Sequence, residues 1–324
     1  RWRRGRIFGM CMLAQAVVAL LLVMATQADF ISRELILALS VALGACRAFQ
    51  MPTQQALVPM LVPPSLLERA VTLSASGMQA AIICGPALGG LLYVAGATWV
   101  YGTSTTLLVI AFGLMLAVHD RHQPAKEKTS LRSVLAGVKF VWMNKLLLGA
   151  TSLDLFAVLL GGATALLPIY ARDILHTGPQ GLGLLRAAPA VGALLMSLIL
   201  QRWPIERKVG PWLMASVAVF GIATIVFGLS EHFGLSLLAL AVTGAVDNIS
   251  VVMRMTLVQL ETTNEIRGRV SAVNSIFIGA SNQLGEFESG ATAALLGPVG
   301  SVVMGGIGTL LIAAGWIRLF PSLA

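Results

Sequence analysis

Charge is what this chain has least of. Only 11% of its 324 residues are Asp, Glu, Lys or Arg, against about 25% in a soluble domain. That deficit excludes an ordinary water-soluble globule, because too few ionised side chains remain to cover a folded surface. Cysteine is scarce as well: Cys11, Cys46 and Cys84 all fall inside apolar runs. They read as small buried hydrophobes, with neither a disulfide framework nor metal-ligand spacing. The four histidines, His119, His122, His176 and His232, fall in expected loops or at span ends without ligand spacing, so no metal site is expected. No GxxxxGK[ST], GxSxG or HExxH pattern occurs. An ATPase or a hydrolase is left without a supporting motif, and neither an enzyme nor a cofactor is expected.

Apolar residues fill the space. They make up 57% of the chain and give a mean hydropathy of +0.85. They arrive in runs of about 18–25, long enough to cross a hydrocarbon layer of ~30 Å. Ten spans are expected, at 7–27, 33–51, 71–95, 97–118, 147–171, 180–201, 211–230, 234–256, 270–294 and 298–319. Tight turns separate several of them: "AGAT" at 95–98, "EHFG" at 231–234 and "LGPVG" at 296–300. The class is an all-α polytopic membrane protein whose first partner is the lipid bilayer. The first run is about 20 residues long with no A-x-A-like site after it, so it does not read as a signal peptide.

The net charge of +8 is informative through its distribution. Alternating the loops places seventeen Lys and Arg on one side, including Arg1, Arg69, Lys128, Arg207 and Arg269, and only Arg33 and Arg172 on the other. This asymmetry makes the first side cytoplasmic and puts both termini there. Basic residues confined to short membrane-flanking loops do not suggest a nucleic-acid partner. In the longest loop, 119–146, Leu131, Leu135, Val138 and Trp142 share one helical face, with Arg132 and Lys139 off it. The pattern predicts an amphipathic helix at the cytoplasmic membrane surface. It divides the chain into 1–118 with four spans, the loop 119–146, and 147–324 with six.

An internal repeat accounts for the unequal count. "RWRRGR" before the first span resembles "RWPIERK" before the seventh at an offset of 201, and Arg69 with Gly85 matches Arg269 with Gly285 at an offset of 200. Two pseudo-repeat halves of six spans are predicted, the first of them two helices short.

Three long stretches carry a family resemblance: "VPPSLLERAVTLSASGMQAAIICGPALGGLL", "GGATALLPIYARDILHTGPQGLGLLRAAPAVGALL" and "DNISVVMRMTLVQLETTNEIRGRVSAVNSIFIGASNQLGEFESGATAALLG". With the six-span repeat, they resemble the major facilitator superfamily, in its enterobactin-exporter-like or transmembrane-secretion-effector branch. The resemblance implies a monomeric secondary transporter in a bacterial inner membrane. It would export a siderophore, drug or other amphiphile by alternating access, coupled to protons. A lysophospholipid flippase or an importer on the same fold, and a truncated non-transporting remnant, are the alternatives. Of the family's antiporter motif only "GPALGG" matches, since Ala81 and Thr72 stand where glycines are expected. Of the signature loop after helix two only the basic tail "RWRRGR" is present.

A few polar positions stand out within the spans. Ser271, Ser275, Gly279, Asn282, Glu286 and Ser289 form a stripe at helical spacing. Such a stripe must face protein or water, because a central charge facing lipid costs at least ~2.5–3.5 kcal/mol. Glu286 lies about 24 Å along its helix from the cytoplasmic start and is a candidate proton carrier or counter-ion to a cationic cargo group. Glu288 is about 200° away around the helix and reads as an ion-pair or packing residue. Asp247, beside Asn248, shares a face with Arg254. The arginine reaches either back to Asp247 or across to a neighbouring helix, as a gate or ion pair. Asp154 is a second candidate proton site or a partner for Arg254. Arg186, near the depth of Glu286, either binds an anionic group or snorkels outward. Gly85, Pro86, Gly89 and Gly90 make a kinked, side-chain-poor face suited to close helix packing and hinging.

Overall fold

The computed structural model describes residues 4–63, 66–118, 138–203, 205, 209–262 and 264–321. All regular structure among these residues is helical. They group into two compact units, within Arg1–Lys126 and Glu127–Ala324. By length and composition, eight stretches suit a membrane crossing. The last, Phe277–Leu319, is 43 residues long and holds two arms, because Gly297 leaves the helix (φ 77°, ψ 164°) just before Pro298. That break falls in "LGPVG", where a turn is expected.

The first unit contains α1 (Arg4–Gln27), α2 (Arg33–Leu61), α3 (Leu67–Tyr93) and α4 (Ala97–Ala117). Helix α1 packs against α2 and α4, and α3 touches both of those. Ser32 caps α2 by accepting a hydrogen bond from the Leu35 N–H at 3.2 Å. Helix α2 covers the expected span 33–51 and continues to Leu61. The apolar run ends where "FQMPTQQ" begins, but loss of hydropathy marks the edge of a span and not the end of a helix. Gly96, at φ 113°, makes the turn expected from "AGAT". On α3, which contains Pro86, a Cβ added at Gly85 or Gly89 would meet no atom within 4 Å. An added methyl at these two positions would therefore meet open space.

The second unit contains α5 (Lys145–Leu160), α6 (Gly178–Arg202), α7 (Val209–Leu229), α8 (Phe233–Glu261) and α9 (Asn264–Leu319, bent at Gly297). Helix α8 packs on α6 and α7, and α9 packs on α5 and α7. One apolar cluster gathers Leu147, Leu153, Leu213, Met253 and Val270. A second gathers Leu166, Tyr170, Leu185, Phe227 and Val302. The expected surface helix of the central loop lies outside the described residues up to 137. Beyond them, residues 138–143 are helical, with Val141 buried and Trp142 exposed.

Asn144 starts α5 in a way sequence spacing does not announce. Its Oδ1 accepts from the Leu146 and Leu147 N–H groups at 3.1 and 3.2 Å, while its Nδ2 donates to Glu261 at the end of α8 at 3.1 Å. One side chain thus caps a helix and ties it to a neighbour. Asn144→Ala is expected to cost about 1 kcal/mol, read as a lower unfolding midpoint of the solubilised protein.

The expected span 147–171 lies within one candidate crossing, Lys145–Ile174, but its backbone is not one continuous α-helix. Helix α5 stops at Leu160 and passes through Gly161–Gly162 into a 3₁₀ turn, Ala163–Leu166. The chain then makes a short helical piece, Leu167–Ile169, and a π turn, Tyr170–Ile174. Pro168 lacks an N–H for the ladder. The break is also held from outside. A Cβ on Gly285 would lie 2.8 Å from the Val158 carbonyl oxygen, and one on Gly305 would lie 2.1 Å from that of Leu160. Two glycines on α9 thus let backbone approach backbone where α5 ends. Below the break, Tyr170 is fully buried, donates to the Gly228 carbonyl at 2.9 Å and stacks on Phe227 at 4.6 Å.

Candidate functional site

Inside the second unit, polar side chains from α5, α8 and α9 converge on two places. The first is an ion pair. Arg254 of α8, 1% exposed, closes on Asp154 of α5, 5% exposed, and Ser250 donates to the same carboxylate at 3.3 Å. Of the two partners open to Arg254 from the sequence, the structure selects Asp154 and not Asp247. Helices α5 and α8 are side by side, so a cross-helix partner lies nearer than a residue two turns away on the same helix. The Arg254 Nε has no hydrogen-bond partner among the described residues. Two carboxylates, Asp154 and Asp247, lie within electrostatic reach of this one guanidinium.

The second place is a cavity of about 170 Å³. Its walls combine the break in α5 (Gly161, Gly162, Thr164), the ring of Phe220, Thr243 and Asp247 of α8, and Asn282 and Glu286 of α9. A smaller void is lined by both Asp247 and Asp154, so Asp247 borders both the cavity and the space beside the ion pair. Among the described residues the side chains of Asp247, Asn282 and Glu286 make no hydrogen bond to protein. Among the described residues no Lys, Arg or His lines the cavity.

The expected stripe on α9 divides here. Asn282 and Glu286 line the cavity. Ser289 is buried where a Cβ on Gly162 would come within 2.7 Å of its hydroxyl. The side chains of Ser271 and Ser275 lie outside those described. Glu288 is half-buried away from the cavity, its carbonyl accepting from the Thr292 hydroxyl at 2.9 Å. Thr292 in turn contacts Ser301 across the Gly297 bend at 2.6 Å. Asn248, beside Asp247, donates to Ser197 of α6 at 3.0 Å. Arg186 is exposed on α6 between buried Leu185 and Ala187 and does not line the cavity. The break at Gly161–Gly162 is the part of the site that spacing did not nominate; the signal available for it was the tandem glycine six residues before Pro168.

These features sit on a helical membrane fold of two units, and comparison identifies it. The Major Facilitator Superfamily model matches residues 1–285, and the chain belongs to that superfamily. Among its relatives, the enterobactin exporter EntS of Citrobacter koseri is 26% identical over 261 residues, which is 79% of this chain and 62% of the relative. EntS of Escherichia coli is 25% identical with the same coverage. The chain thus covers less than two thirds of the length of these relatives, which are transporters and not enzymes. A bacterial homologue of the human lysosomal transporter Spinster, in an inward-facing and unoccupied conformation, superposes with a TM-score of 0.74 at 12% identity, covering 100% of this chain and 85% of that one. A bacterial homologue of the iron transporter ferroportin, inward-facing, gives 0.68 at 17% identity over 98% and 83%. At such identities the structural likeness speaks for the fold alone.

Proposed function

We propose that the protein is a proton-coupled exporter of a small amphiphilic molecule, working by alternating access. The observation that carries this reading is the cavity: three polar side chains without protein partners, two of them carboxyls, face one space inside a membrane helix bundle. An unpaired carboxyl there is costly unless it meets a proton, water or a cargo group. A group of this kind biases a two-state transporter if its environment differs between the states. Asp154 suits the coupling role less well than Asp247 or Glu286, because its carboxylate is already engaged by Arg254 and Ser250. It suits a latch between α5 and α8. The break in α5 gives the segment 161–174 a place to bend, and Gly85, Pro86, Gly89 and Gly90 are proposed as the corresponding hinge surface on α3. The charge asymmetry of the loops supports cytoplasmic termini, the direction of export is taken from the names of the relatives, and we take a monomer as the working unit.

The names of the relatives supply the first cargo to assay. Cells lacking their own enterobactin exporter, expressing this chain, are loaded with radiolabelled enterobactin, and efflux is followed with and without a protonophore. The expected result is efflux that the protonophore stops and that Glu286→Gln and Asp247→Asn together reduce at least about tenfold. Efflux unaffected by the protonophore, or equal in the double variant, removes proton coupling from these residues.

A further inference from the structure

We infer that the cavity of the second unit is a subsite for a compact organic cation, the head group of the cargo, with Asp247 as its principal counter-ion. The inference rests on the transporter reading and names the chemistry of what one part of the path receives.

The first argument is charge. Asp154 and Asp247 lie within reach of one guanidinium, that of Arg254, and Arg254 is closed on Asp154. Counting formal charges, the buried group carries one negative charge in excess, and it resides on the carboxyl that faces the cavity. Glu286, lining the same cavity, adds a second, and no basic side chain is among the described lining residues. An anion entering here would meet two carboxylates with no donor stronger than the Asn282 amide and the Thr164 and Thr243 hydroxyls. A cation would meet a complementary field.

The second argument is size and surface. At about 170 Å³, the space is smaller than the ~300–1,000 Å³ of a pocket that encloses a drug-sized ligand. It suits a head group, with the remainder of the molecule lying outside. The lining also includes Phe220 and Phe227. An aromatic face attracts a desolvated cation within about 6 Å of its ring centre, and the surrounding methyl-bearing surfaces accept alkyl substituents. A substituted ammonium with short alkyl groups satisfies all these surfaces, whereas a strongly hydrated point charge would use only the carboxyls.

Competing bonds to the cavity groups are absent among the described residues. Asp247, Asn282 and Glu286 make no hydrogen bond to protein among the described residues. Asp154, by contrast, has both Arg254 and Ser250. The free groups are therefore those lining the cavity, and the satisfied one lies behind it.

The test uses three probes that share a benzyl group and differ in the charge of the head. They are benzyltrimethylammonium, its neutral carbon isostere neopentylbenzene, and benzylsulfonate. Binding to the purified full chain in lipid nanodiscs is measured by equilibrium dialysis, with empty nanodiscs subtracted. The cation is expected to bind about tenfold or more tightly than the neutral isostere, and the sulfonate to show no saturable binding. Asp247→Asn weakens the cation about tenfold while leaving the neutral probe unchanged, which a general loss of structure would not do. Glu286→Gln, at an exposed and better screened position, weakens it by only about threefold. If Asp247→Asn does not fold, Asp247→Glu retains the charge and is expected to retain cation preference. Equal affinity for cation and isostere, preference for the sulfonate, or unchanged cation binding in Asp247→Asn overturns the assignment. Because no gradient is imposed, this result is separable from proton-coupled export: loss of efflux with cation binding intact would contradict only the exporter reading.

Discussion

Asp154→Asn is expected to lower the stability of the second unit by about 3–5 kcal/mol, because it leaves Arg254 charged, buried and without its partner. Arg254→Met is expected to cost about as much, by stranding the carboxylate with only Ser250 as a donor. The informative variant is the double one. Asp154→Leu with Arg254→Met removes both charges and replaces them with apolar volume, and exchanges of this kind are often neutral or stabilising. Thermal unfolding of the solubilised protein should therefore show two strongly lowered midpoints and one near the parent. A double variant as unstable as the sum of the singles would mean that the two residues act separately. A pair retained for a latch would also leave a functional mark, namely a stable double variant with impaired transport.

The second large effect concerns α6 and α8. A Cβ on Gly192 would lie 1.8 Å from the Ala241 carbonyl oxygen, and one on Gly244 would lie 1.9 Å from that of Pro189. Backbone atoms cannot swing aside as the end of a side chain can, so the two helices must separate. Gly192→Val or Gly244→Val is expected to cost about 3 kcal/mol. Separation would also break the Asn248–Ser197 hydrogen bond and widen the cavity at Pro189. Gly290→Val is the matched control, since a Cβ there meets nothing within 4 Å. Yield of monodisperse protein and unfolding midpoint are the readouts. Equal behaviour of Gly244→Val and Gly290→Val would show that the helices have slack at this crossing.

The contrast between these residues and those nominated first shows what a linear pattern carries. Spans were legible because the bilayer imposes length and hydropathy on each segment separately. The turns at Gly96 and Gly297 were legible because glycine there adopts positive φ, with a proline directly following the second. The amphiphilic order of Asn282 and Glu286 was legible because helical spacing alone places them on one face. The choice between Asp247 and Asp154 as partner of Arg254 stayed open, because Asp154 comes from a helix one hundred residues earlier in the chain, and which helices adjoin is decided by packing. The same holds for Gly192 and Gly244, whose close approach exists only once α6 and α8 have met. The break in α5 lay between these cases. Its glycines were visible in the sequence, but the hydropathy runs unbroken across them and conceals the change of backbone.

The central claim, that the carboxyls around this cavity couple a proton to cargo movement, is tested most directly in proteoliposomes. The purified chain is reconstituted, a pH gradient is imposed, and movement of radiolabelled enterobactin and of benzyltrimethylammonium is followed over time. The account predicts that at least one cargo moves against its concentration gradient when the proton gradient is present. It also predicts that Asp247→Asn with Glu286→Gln abolishes that movement while leaving the unfolding midpoint near the parent. Gradient-driven movement that persists unchanged in the double variant, or no response of either cargo to the gradient, would contradict it.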